Sequence, residues 1–178
     1  MNESFEGFSR RHREGLISVI SAGVFLVLVG VIFLNTPNLF KKIINFFSDF
    51  GLVRVPNLGD LWLPAPKHPS DHLFVYVAVE QFGYAWGLIQ LVILAFRFVV
   101  RSPSNKDAET ASNIVFWVGT GFLTRTFLTQ MSIPTELVII PTELMSWFEF
   151  WSGIIMLLGV SLIIRAIVLA AASTRHVT

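Results

Sequence analysis

Cysteine is absent from this 178-residue chain, and with it go disulfides, thiolate metal sites and cysteine nucleophiles. Charge is scarce as well: Asp, Glu, Lys and Arg make up 14% of the residues, and the formal net charge is +1. That balance leaves no basic surplus, and no run of clustered Lys and Arg interleaved with aromatics occurs, so nucleic acid is not an expected partner. The only histidines, His12, His68, His72 and His176, lie outside the apolar runs. Paired histidine ligation of a haem within a membrane is therefore not expected. The serines inside apolar runs, Ser18, Ser21, Ser152 and Ser161, have no intramembrane His or Asp to activate them. No Gly-rich phosphate loop or dinucleotide fingerprint occurs either. The expectation is a protein without enzymatic activity, metal or cofactor.

Apolar residues dominate instead, at 53% of the chain and a mean hydropathy of +0.66. This is too apolar for an ordinary soluble domain. The expected fold is an all-α membrane protein, one integral domain over residues 1–178, with four transmembrane helices at about 16–34, 73–100, 111–131 and 147–170. The first run follows a basic collar of Arg10, Arg11 and Arg13. It exceeds the apolar core of a secretory signal, and Asn35-Thr-Pro-Asn38 replaces a small-residue cleavage site, so an uncleaved span is expected.

Pro37 predicts a helix start with Asn35 or Thr36 as its cap, and residues 37–50 read as an amphipathic helix on the outer surface. Leu39, Phe40, Ile43, Ile44, Phe46, Phe47 and Phe50 share one arc, opposite Lys41, Lys42, Asn45, Ser48 and Asp49. Such a helix lies either along the bilayer surface or on the protein itself, since either buries the same arc. A Pro-rich outer loop follows, where 52–55 and 61–63 offer a small hairpin and Trp62 suits the membrane interface. His68 and His72 would share a face in a continuous helix, as a metal pair does. Pro69 interrupts that geometry, so a capping and surface role is expected.

The second span has two faces. Glu80, Gly83, Tyr84, Gly87, Gln90, Leu91 and Leu94 form a small and polar one, expected inside the bundle. Phe82, Trp86, Ile89, Val92, Ile93 and Phe96 form a bulky one, expected against lipid. In the third span Thr120 and Thr124 share a face, and Arg125 stands one turn beyond Gly121. A guanidinium stays charged, and at a bilayer centre it costs about 2.5 to 3.5 kcal/mol on insertion scales, so it must snorkel or find carboxylates. Depth along the helices predicts that Glu80, Arg125 and Glu149 share one outer layer, with Tyr84, Gln81 and Thr124 filling the remaining bonds. The layer reads either as a structural clamp or as a polar cavity for an ion, a small solute or a proton relay through Glu80.

The positive residues of the N-terminus, of the second connection (Arg97, Arg101, Lys106) and of the tail (Arg165, Arg175) predict that both termini are cytoplasmic. Trp147 and Trp151 open the fourth span at the outer interface, after a connection that repeats Pro-Thr-Glu-Leu at Pro134 and Pro141. The long first and short second outer loops resemble claudin-like proteins in outline. The cysteine pair and motif of that family are missing, and no family is assigned. The expected function is that of an accessory or structural subunit, or a membrane interaction protein, in the cell membrane. Its expected partners are the lipid bilayer and, beyond it, other membrane subunits or a second copy. The alternative is a small transporter or proton pathway using Glu80 and Arg125.

Overall fold

The computed structural model describes residues 3–56, 59–100, 102–130 and 142–174. The order is α1 (Glu3–Asn35), α2 (Leu39–Ser48), β1 (Phe50–Arg54), β2 (Trp62–Pro66), a 3-10 turn (Pro69–His72), α3 (Leu73–Val100), α4 (Ser104–Leu123), a π-helical turn (Thr124–Thr129) and α5 (Thr142–Thr174). The protein is mostly helical, and among the described residues three stretches are long and apolar enough to cross a membrane: Gly15–Asn35, Pro69–Val100 and Glu143–Thr174. The expected third span does not qualify by composition, although α4 occupies its place, and its end at Met131 lies outside the described residues.

The position of α4 explains its lower hydropathy. It packs between α3 on one side and α5 on the other. Glycines set both contacts. A Cβ on Gly83 of α3 would stand 2.8 Å from the Gly121 amide nitrogen and 2.8 Å from the Trp117 carbonyl oxygen, so the two backbones touch. Gly87 lies against Val118, Gly119 against Leu157, and Gly153 of α5 against Leu123. A helix flanked by protein needs small residues for close approach more than apolar bulk.

The bulky face of α3 is not left to lipid along its whole length. Phe25 of α1 meets the rings of Phe82 and Trp86 edge-on, with centroids 5.7 and 5.2 Å apart, and Trp86 is buried. Leu91, expected inside, is exposed instead. The helix α1 packs on the bulky side instead, through Phe25 against Phe82 and Trp86.

The helix α2 is shorter than expected at both ends. Its cap is Asn38 in the left-handed region (φ 57), without a side-chain cap bond, rather than Asn35 or Thr36. Phe50 is not a helical interfacial residue: it opens β1 and packs into the core with Tyr76 and Trp147. The strands pair antiparallel from Phe50↔Pro66 to Arg54↔Trp62, so the Pro-rich segment contains the small hairpin. Phe46 ties this cap to the bundle, because the rings of Phe47, Phe50, His72, Tyr76 and Trp147 all lie within 6.1 Å of its centroid.

Candidate functional site

Glu80 follows two turns after the start of α3, and the π turn brings Arg125 and Thr129 to the same height. A π turn widens the helix locally and re-aims the side chains it carries. Arg125 Nη1 lies 3.6 Å from Glu80 Oε1, and the Thr129 hydroxyl donates to Oε2 at 2.9 Å. Both carboxylate oxygens are therefore engaged. The Glu80 side chain is 14% exposed, whereas that of Arg125 is 61% exposed on the flank of the bundle. At 3.6 Å the contact is an ion pair rather than a hydrogen bond.

The remaining residues of the expected layer are dispersed. Glu149 is exposed on α5 and, among the described residues, forms no ion pair with Arg125; it lines a groove with Leu123, Phe127 and Met145. Its helical position turns it along the flank rather than toward α3. Gln81 is exposed. Tyr84 packs against Gly121. Thr124 is fully buried, but its hydroxyl donates to the Thr120 carbonyl at 2.8 Å, so its own helix absorbs it. The glycines Gly83, Gly87 and Gly121 carry the α3–α4 contact that brings Glu80 and the π turn together. Of the interfacial residues, Phe40 and Phe47 are 68% and 67% exposed, and Trp62 is exposed on β2.

A second cluster forms where none was expected. Pro69 does break the helix, yet the 3-10 turn folds His68 and His72 onto one carboxylate. Asp49 receives the His68 backbone N–H at 2.9 Å; His68 Nδ1 lies 3.1 Å from Oδ1, and His72 Nε2 lies 3.1 Å from Oδ2. Convergence comes from the loop and Asp49, not from helical spacing. Burial alone would raise the Asp49 carboxyl, but the His68 backbone bond and the His72 and His68 side-chain bonds outweigh it and hold the group at about 2. Lys67 N–H also bonds the Asp49 carbonyl at 3.2 Å, so the end of α2 is tied to the head of α3. Asp49 pairing with a His-x-x-x-His segment 19 residues on leaves no local periodicity to detect.

Beside this latch is a cavity of about 520 Å³ lined by Lys42, Asn45, Ser48, Asp49, Asp71 and His72 together with Phe74 and Val75. Among the described residues no group of His, Asp and Glu has the arrangement to hold a metal ion. At the other end of the bundle, Lys106 Nζ pairs with Glu109 at 2.8 Å.

These features define a helical bundle with three membrane-length apolar helices and a polar cap at one end. No family model, curated protein or solved structure matches the chain.

Proposed function

We propose that the protein is a four-span membrane protein with both termini cytoplasmic, acting without catalysis as an accessory or structural subunit of a membrane assembly. The observation that carries this reading is the division of α2. Leu39, Ile43 and Phe46 pack inward, while Phe40, Ile44 and Phe47 form an outward row on a helix latched rigidly to the bundle. Exposed apolar rows on an ordered element are binding surfaces for lipid or protein. The segment 104–130 supplies the fourth span: at about 1.5 Å per residue it is about 40 Å long. The engagement of both Glu80 oxygens supports a clamp between α3 and the π turn rather than a transport site.

The test is crosslinking in native membranes followed by purification in mild detergent. A discrete larger complex is expected, and Phe47→Ala should weaken it without unfolding the protein. A lone monomer recovered in every membrane and detergent would sink the proposal.

A further inference from the structure

We propose that the cavity under α2 and the groove below it form one binding site for a zwitterionic phospholipid with an ethanolamine headgroup. The proposal rests on the reading of the chain as membrane-spanning.

The two spaces share Val75. On the α3 side, Asp71 and Val75 line the upper cavity, and Val75, Ala78 and Phe82 line the lower groove. Val75, Ala78 and Phe82, spaced by three and four residues, lie on one stripe of α3, and Asp71 precedes them in the 3-10 turn. The upper cavity combines six polar or charged side chains with Phe74 and Val75, whereas the lower groove, about 280 Å³ between α1, α2, α3 and Trp117 of α4, is lined by apolar and aromatic side chains such as Ile32, Leu39 and Ile43. A polar chamber continuing into an apolar groove fits an amphiphile. The groove is too small for a partner helix, which is about 10 Å across, and suits an acyl chain.

The charges select the headgroup. Lys42 Nζ stands 3.3 Å above the Phe74 ring, which holds an ammonium at the start of the apolar part of α3, the height at which lipid phosphate sits. Asp49 is already occupied by His68 and His72. Asp71 brings a second carboxylate to the cavity wall. One cation and one carboxylate match a phosphate followed by a primary ammonium, whose N–H groups can hydrogen-bond Asp71. A choline head has no N–H to donate. A glycerol head adds no positive charge and brings its phosphate among two acids.

Native mass spectrometry of the full chain in a neutral detergent, delipidated and given equimolar phosphatidylethanolamine, phosphatidylcholine and phosphatidylglycerol of matched chains, tests the site. The ethanolamine lipid should give about fivefold more adduct than either competitor, the scale of one net hydrogen bond, which choline cannot donate to Asp71. Asp71→Ala, at an exposed position, removes the acceptor and should reduce it to the choline level. Equal adducts from the wild-type chain, a preference for either competitor, or an unchanged ranking in Asp71→Ala would overturn the proposal. Carbonate extraction of the source membranes separates the two readings. Release of the protein would overturn the membrane reading itself, whereas retention without lipid preference would overturn only the lipid site.

Discussion

Arg125 reaches Glu80 across 3.6 Å while its side chain stays 61% exposed. The carboxylate belongs to α3 and the guanidinium to the π turn after α4, so the pair bridges two elements that glycines have already brought together. Thr129 fills the carboxylate's other oxygen.

Glu80→Gln keeps an acceptor for Thr129 and loses only the ion pair. Glu80 is 14% exposed, so the loss in thermal unfolding in detergent should lie between the about 0 to 1 kcal/mol of an exposed pair and the about 3 to 5 kcal/mol of a buried one, and the protein should still fold. Complete loss of folding would show that the charge itself holds α3 to α4. Intact folding together with loss of ion or proton flux in proteoliposomes would instead favour transport.

Gly83→Ala should destabilise by about 1 to 3 kcal/mol, because the new methyl would meet the Gly121 and Trp117 backbones, which cannot rotate away. Gly30→Ala is the control, since nothing lies within 4 Å of its added Cβ. Unfolding midpoints of the two variants should therefore separate clearly. Equal midpoints would mean that α3 and α4 are not in backbone contact.

The Asp49 latch predicts a pH dependence. A carboxyl held at about 2 against an ordinary 3.8 stabilises the fold above pH 3.8, and that stability is lost as pH falls toward 2. Asp49→Asn should lower the unfolding midpoint at neutral pH, and its difference from wild type should shrink between pH 4 and pH 2. A difference that stays constant over that window would show that the carboxylate's charge does not hold the latch.

Topology is testable because the chain has no cysteine of its own. Single cysteines at Ser48, beside the latch, and at Ser104, at the start of α4, should be labelled by an impermeant maleimide from opposite sides of the membrane. Labelling from the same side would show that α3 does not cross the membrane.

Much of the helical layout could be read locally. Apolar run length marks α1, α3 and α5, and Gly83-x-x-x-Gly87 marks the face where a neighbour comes close. The pairing of Glu80 with Arg125 was legible from the cost of a charge among apolar residues. Glu149 could not be placed the same way, since equal depth on two helices says nothing of rotation about the helix axis. The His68–Asp49–His72 latch was hidden for a different reason: its partners come from a helix end and a turn on either side of a hairpin.

By itself the amino-acid sequence determined which segments must be helical and apolar, because hydrophobic run length and the period of small and large residues act within one element. Tertiary packing alone decided which faces meet: α1 covering Phe82 and Trp86, α4 held between two helices, and two histidines closing on Asp49. Those outcomes depend on rotation and approach between elements distant in the chain, where a few ångströms of backbone contact at Gly83 and Gly121 outweigh any local preference.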